Sequence, residues 1–274
     1  MTSPYVIWTI IFTVVPLLII IFYSFAQRDA FGDVVYKFTL SNYKDFFEPI
    51  YLNVFWRSLK PSLISTVICL FLGYPMAFIM SRSKGLKQNL MVMLFILPLW
   101  TNFLLRTYAW MGLLRDQGII NELLIKLGLI SEPITMLYTN SAVVLGMVYN
   151  FLPFMVLPIF SVLSKMDKSL IEAARDLGAN EMNVFMKIIF PLSFPGVATG
   201  IVMVFMPAVS TFVISDLLGG GQTILLGNLI QNQFMAARNW QFGSSVSVIM
   251  MIFLIISMGY FAKHSSKDGG GKIW

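Results

Sequence analysis

The stretch Ile171-Glu172-Ala173-Ala174-Arg175-Asp176-Leu177-Gly178, continued by Phe185, Ile188 and Pro191, decides how the rest of the chain is read. It is a polar, helix-favouring island between two long apolar segments. A chain that crosses a membrane has little reason to keep a charged amphipathic segment between spans unless another protein docks there. Asp167 is placed to cap a short helix with its side chain. Leu170, Ala173, Ala174 and Leu177 then follow at helical spacing, with Glu172, Arg175 and Asp176 largely on the other face. Gly178 suits the left-handed conformation that ends a helix, and Asn180 starts a second helix that carries Phe185, Ile188 and Ile189 towards Pro191. The outcome is two short helices with a bend, a small-residue surface that another protein can approach closely, and a charged rim. A segment lying flat on the inner leaflet fits less well, because alanines anchor poorly and Glu172, Asp176 and Glu181 oppose anionic lipid.

The surroundings support that setting. Hydrophobic residues are 57% of the 274, charged residues 12%, and the mean hydropathy is +0.78. A soluble domain carries about 25% charge, so the composition is that of an integral membrane protein. A single cysteine, Cys69, excludes an intrachain disulfide, and one histidine, His264, leaves no His/Cys metal site. A hydrocarbon core of about 30 Å needs roughly 20 apolar residues per helix. Six segments qualify: about Pro4–Ala26, Pro61–Met80, Gln88–Leu114, Ala142–Leu163, Pro191–Ile214 and Phe242–Ala262. The first has no charged leader and no small-residue cleavage site after it, so it reads as a retained span. The expectation is an all-α membrane protein: a six-span domain over residues 1–264, with the docking loop at about 165–190, and a flexible tail over 265–274.

Six spans place both termini on one side. That side holds Arg82, Lys84 and Lys87, Lys165, Lys168, Arg175 and Lys187, and Lys263, Lys267 and Lys272, ten of the 19 basic residues. The other nine are spread over longer connections and offset by eight acids. By loop density the positive-inside rule puts both termini and the Glu172 loop in the cytoplasm. The net charge of +6 then reflects topology and attraction to the inner leaflet, with no call for nucleic acid as a partner. Three connections face outward: Gln27–Lys60, Arg115–Ser141 and Asp216–Gln241. The first mixes Phe38, Tyr43, Phe46, Phe47, Tyr51 and Trp56 with charges, as an interfacial belt or a short surface helix does.

The docking loop resembles the EAA loop of membrane subunits from bacterial ABC importers: Glu-Ala-Ala, a glycine further on, and an apolar ending at a proline. Further segments resemble the membrane subunits of spermidine/putrescine importers. These are Leu97-Pro98-Leu99-Trp100-Thr101-Asn102 with Arg106-Thr107-Tyr108, Leu152-Pro153-Phe154-Met155, and Val213-Ile214-Ser215-Asp216-Leu217-Leu218-Gly219-Gly220. The likeness runs from about Phe12 to Ala262. It implies the type I (MetI-like) importer architecture and a coupling helix that sits in a groove of an ATP-hydrolysing subunit. Glu172, Ala173, Ala174 and Gly178 would form the contact core, with Arg175 and Asp176 beside them. It also implies a second homologous permease subunit, two ATP-binding subunits and an extracytoplasmic polyamine-binding protein. The chain itself lacks G-x-x-x-x-G-K-[ST], so the phosphate-cradling loop is absent and ATP with Mg belongs to the separate ATPase. Leu218-Gly219-Gly220-Gly221-Gln222 mimics an ATPase signature, but by topology it is a glycine-rich outer turn.

A polyamine, an extended chain of ammonium charges, suits a pathway of sparse anions, amides and aromatic faces, a cation over a ring gaining about 0.5–2 kcal/mol. The candidates are Trp100, Asn102 and Tyr108 in the third span, Asn150 in the fourth, and Phe212, Asp216 and Gln231 at and beyond the end of the fifth. Trp100 and Trp110 fit interfacial anchoring equally well. Asp216 also fits a structural pair with Arg106 or Arg238. Pro207 permits a kink, and Gly196, Ala198 and Gly200 permit close packing, expected against the second permease subunit. An importer of the same build for another small solute, an anion, a metal ion or an amino-acid-like molecule, is the first rival; Asp216 and the scarcity of cations in the spans oppose the anion. A stand-alone secondary transporter would bring internal repeats and more spans. A membrane enzyme lacks any paired acids, nucleophile constellation or metal cluster to work with.

Overall fold

The structure is a computed structural model that describes residues 3–29 and 34–268. Two helices, α1 (Ser3–Thr9) and α2 (Val15–Ser24), run on through a π-helical turn at Ile10–Val14. A small antiparallel ribbon follows, β1 (Gln27–Arg28) against β2 (Val34–Val35). Next come the short α3 (Ser41–Phe46) and the 34-residue α4 (Pro49–Arg82). After a tight turn, α5 (Gly85–Trp100) and α6 (Phe103–Leu114) lead to α7 (Ile119–Lys126) and the long α8 (Asn140–Ser164). The loop expected to dock comprises α9 (Lys168–Asp176) and α10 (Glu181–Val184), and a second π-helical turn joins it to α11 (Phe190–Ser210). Then α12 (Val213–Gly219), α13 (Leu226–Met235) and α14 (Trp240–Asp268) complete the described chain.

Five of these helical stretches are long and apolar enough to cross a membrane: Tyr5–Ser24, Pro49–Arg82, Asn140–Ser164, Glu181–Ser210 and Trp240–Phe261. A sixth exists only if α5 and the helix after it count as one span, and they meet at 94°. The expected continuous span Gln88–Leu114 is therefore broken at Thr101–Asn102. Pro98 sits in the last turn of α5, and Asn102, with extended backbone, caps α6 by accepting a 2.8 Å hydrogen bond from the Leu104 N–H. The expected fifth span also divides: α11 stops at Ser210, where Thr211 N–H closes onto the Pro207 carbonyl at 2.9 Å, and Thr211 is extended before α12 begins at Val213. Of the expected tail at 265–274, residues 265–268 continue α14 and 269–274 lie outside the described residues.

The core is built where α4, α8 and α11 pack side by side. Met80, Met147, Met155, Ile159 and Val204 are fully enclosed there. Glycines set the close approach: a Cβ on Gly200 would fall 2.7 Å from Met155 Sδ, and one on Gly196 only 3.0 Å from the Pro158 carbonyl oxygen. Both partners lie on α8. The small-residue stripe of α11 thus packs within this chain, which corrects the expectation that it faces a second subunit. Tyr74 on α4 adds a buried hydrogen bond to Ser193 on α11 at 2.8 Å. Around Ser24 a second cluster holds α2, α3 and α14: Tyr43 bonds Ser24 at 2.7 Å, Asn42 donates to the carbonyls of Ser24 and Ala26, and Phe25 stacks on Phe38. The aromatic run expected in the first outer connection accordingly divides, with Phe46 in the core and Phe47 and, within α4, Trp56 on the surface. Along the first span most of the apolar residues up to Ile19 are exposed, whereas Ile20, Ile21 and Tyr23 are half-buried where α2 packs on α14.

Candidate functional site

At one end of the bundle the docking loop is fixed by its own short-range chemistry. Asp167 Oδ1 accepts from the Ser169 N–H at 2.9 Å and caps α9, and that bond holds the Asp167 carboxyl below the usual carboxylate range. The helix closes with Gly178 N–H on the Arg175 carbonyl at 2.8 Å and Ala179 N–H on the Ala174 carbonyl at 3.0 Å. Gly178 has φ +82°, with nothing within 4 Å of where a Cβ would stand. Its requirement is one of backbone, not of space. Asn180 Oδ1 then accepts from Asn183 N–H at 2.8 Å and caps α10. Arg175 reaches across the bend to Glu181 at 2.7 Å, an exposed pair that contributes little stability.

The loop is seated on the spans by one face only. Ile171, Ala174 and Ala179 pack on the core, Val184 and Ile189 are buried, and Phe185 meets Tyr74 and Phe78 edge-on at 5.8 Å. The two alanines therefore have different surroundings. Ala174 is half-buried against the bundle, whereas Ala173 faces out with Leu170 and Leu177, and Glu172, Asp176 and Gly178 are exposed around them. Leu177 is 89% exposed. Leu170, Ala173 and Leu177, at i, i+3 and i+7, thus share one exposed face of the loop.

At the opposite end of α8 lies a second built feature, the hinge at Thr211–Phe212. Its organiser is Asn228, near the start of α13 and almost fully buried. The amide oxygen accepts from Ser215 Oγ at 2.6 Å and from Leu225 N–H at 2.9 Å. The amide nitrogen donates to the Phe212 carbonyl at 3.1 Å and to the Asp216 carboxylate. Asp216 is thus tied to Asn228, not to Arg106 or Arg238. Withdrawal from water pushes the Asp216 carboxyl up, and the Asn228 hydrogen bond pulls it down. Beyond it, Gly220 (φ +57°) and Gly221 (φ +76°) make the expected turn, packed so tightly that a Cβ on Gly220 would collide with the Tyr138 ring. Tyr138 N–H donates to the Leu218 carbonyl at 2.8 Å, and Thr223 bonds Asn140 at 2.8 Å, fastening the turn to the start of α8.

The other expected pathway residues distribute as follows. Phe212 is half-exposed at the hinge, and α12 packs on α6, which carries Tyr108, and on α8, which carries Asn150. Tyr108 is exposed. Asn150 is 1% exposed: its Nδ2 donates to the Gly146 carbonyl at 2.9 Å, and Oδ1 has no partner among the described residues. Gln231 is half-buried on α13. Trp100 sits away from this group, at the end of a groove along α5 that Phe160 also lines, and Asn102 is the cap at the bend. Trp110 packs on Tyr149 at 5.4 Å. On α6, Arg106 keeps Nε and Nη1 buried without a hydrogen-bond partner among the described residues. Ser215 and Asn228 were not singled out from the sequence. The available signal for Asn228 was its place in the first turn of a helix, where an Asx side chain reaches backbone N–H groups.

A bundle of apolar spans, a capped helix-glycine-helix loop presented at one end and a hinged helix at the other define the membrane permease subunit of an importer. The chain belongs to the family of binding-protein-dependent transport system inner membrane components, whose model matches residues 70–268. It is 43% identical over 249 residues to the spermidine/putrescine transport system permease protein PotB of Haemophilus influenzae, covering 91% of this chain and 87% of that one. To PotB of Escherichia coli it is 43% identical over 247 residues, 90% of each chain. Among solved structures, a bacterial ABC transporter that imports the acidic polysaccharide alginate aligns with TM-score 0.75 at 15% identity, covering 96% of this chain and 93% of that one. The MetNI methionine transporter aligns with TM-score 0.57 at 16% identity, covering 79% and 95%. At such identities these two establish the fold and nothing about the solute.

Proposed function

We propose that this chain is the permease subunit of an ATP-driven importer of spermidine and putrescine. It forms half of the pathway beside a second, homologous permease subunit. An extracytoplasmic binding protein delivers the polyamine, and two ATPase subunits supply the work, ATP and Mg being held there. Both termini and the Glu172 loop lie in the cytoplasm. The observation that carries the substrate class is the 43% identity over nine-tenths of the chain to permeases named for spermidine and putrescine.

The geometry supplies a mechanism. Glu172, Ala173, Ala174, Asp176 and Gly178 form the loop that engages the ATPase, with Ala173 at the contact and Ala174 seating the loop on the bundle. From that loop a helical stretch, Glu181–Ser210, runs the length of the molecule to the hinge at Phe212. Drawing the loops together as the ATPases close on ATP moves this lever and reorients α12. Phe212 and Asp216 there, Gln231 on α13, and Tyr108 and Asn150 on the adjoining α6 and α8 offer a carboxylate, amides and ring faces to an ammonium chain, with Asn102 and Trp100 farther off at the α5–α6 bend. The anionic group is single and already hydrogen-bonded, which suits passage over retention.

The test is ATPase activity of the reconstituted assembly with its binding protein, titrated with spermidine, putrescine and sulfate. Stimulation by polyamine alone is expected. Stimulation by sulfate alone would retain the coupling loop and overturn the solute, and no substrate-coupled hydrolysis at all would overturn both.

A further inference from the structure

Between the docking helix and the turn joining α4 to α5 lies a cleft of about 380 Å³. Its floor is apolar, made by Phe78, Leu163, Ile171 and Ile189, residues that belong to the ends of the spans and to the seated face of α9. Its rim is cationic. Arg82 and Lys84 line it from the α4–α5 turn and Lys168 from the start of α9, and none of them has an ion pair among the described residues. Arg175 also reaches the cleft but is paired with Glu181, and Glu172 contributes the one carboxylate on the lining. Arg82 is held in place: its guanidinium stands 4.5 Å over the Phe78 ring, which in turn packs edge-on against Phe185. Attraction to an anionic surface accounts for basic residues on this side of the protein. It does not require three of them to converge on one concave cleft with an apolar base.

We infer that this cleft binds a phosphate-bearing anion, seated between Lys84 and Lys168 with Arg82 beside it. The apolar floor, continuous with the membrane-spanning helices, favours the headgroup of an anionic phospholipid as the source over free phosphate. A phosphate there would bridge the α4–α5 turn to the first residue of α9 and so tie the docking helix to the spans. The inference concerns occupancy of the cleft, and it stands or falls independently of the transported solute.

The test is native mass spectrometry of the purified full chain titrated with phosphatidylglycerol, phosphatidylcholine or inorganic phosphate. It would be run in parallel on K84Q/K168Q, on K84R/K168R, and on K44Q/K126Q as a control that removes the same charge elsewhere. Phosphatidylglycerol should bind more tightly than phosphatidylcholine. That preference should fall about thirtyfold in K84Q/K168Q, from the loss of two lysine contacts, and survive in the other two variants. Competition by inorganic phosphate without any preference between the lipids would keep the phosphate site and assign it to a soluble anion. Equal binding of both lipids with no effect of phosphate would overturn the site, as would an undiminished preference in K84Q/K168Q. If K84Q/K168Q instead binds lipid like the parent but loses the ATPase subunits from the assembly, the cleft is a protein-docking surface and the proposal fails.

Discussion

A valine at position 178 would have to hold a φ near +82°, which costs an L-residue roughly 1–2 kcal/mol, more when it is β-branched. No neighbour within 4 Å would resist the side chain itself. The cost therefore falls on the bend that orients α9 against α10, and little of it on the bundle. Gly178→Val should leave the amount of inserted protein unchanged and lower polyamine uptake at least tenfold, whereas Gly178→Asn, which tolerates the left-handed region, should keep much of it. Uptake and membrane content measured side by side decide this; normal uptake by the valine variant would remove the docking role. This loop was legible in the sequence because its determinants are local. Asp167, Gly178 and Asn180 each act within three residues of themselves, and each does what its chemistry implies. The two alanines were less legible, since seating on the spans, not spacing alone, places Ala174 inward and Ala173 outward. Asp216 was legible as an unusual acid but not in its partner. Twelve residues separate it from Asn228, and an asparagine in a turn-rich stretch carries no sign of which carboxylate it will meet.

Helices join in this molecule mostly through what is missing from them. Gly200 and Gly196 let α11 lie against α8 at backbone distance, with Met155 and Pro158 filling the space a side chain would take. Gly200→Leu forces Met155 and its backbone to move, and overpacking of that kind costs about 1–3 kcal/mol or more. A lower thermal midpoint for the full chain in detergent is the expected result, together with a smaller yield of assembled complex. An unchanged midpoint would show that the seam is looser than its contacts imply. At this level the spans themselves were readable from apolar length, and their breaks were not. Averaging over Gln88–Leu114 conceals the Pro98 and Asn102 pair that stops one helix and caps the next. The same averaging runs Pro191–Ile214 together, although Pro207 and the Thr211 closure end α11 four residues before the predicted limit.

The whole molecule joins two ends through one rod. Glu181–Ser210 is one helical stretch from the docking loop to the break at Phe212, whose carbonyl Asn228 holds; on the proposed mechanism it carries motion from one end to the other. That arrangement was not visible in any local motif, because it depends on α10, the π-helical turn and α11 being collinear. The break after Trp100 has a further consequence, for the lipid. Counted at 1.5 Å per residue, the 16 residues of α5 rise about 24 Å, short of a hydrocarbon core of about 30 Å. The helix that follows turns away by 94° instead of making up the difference. A bilayer that meets α5 along this edge would thin or draw the flanking side chains outward, and the mismatch would grow with acyl-chain length. Reconstituted into a series of phosphatidylcholines of increasing chain length, the assembly should lose coupled ATPase activity in the thickest membranes while its binding protein still docks. The transporter would then be graded by the thickness of the membrane that surrounds it.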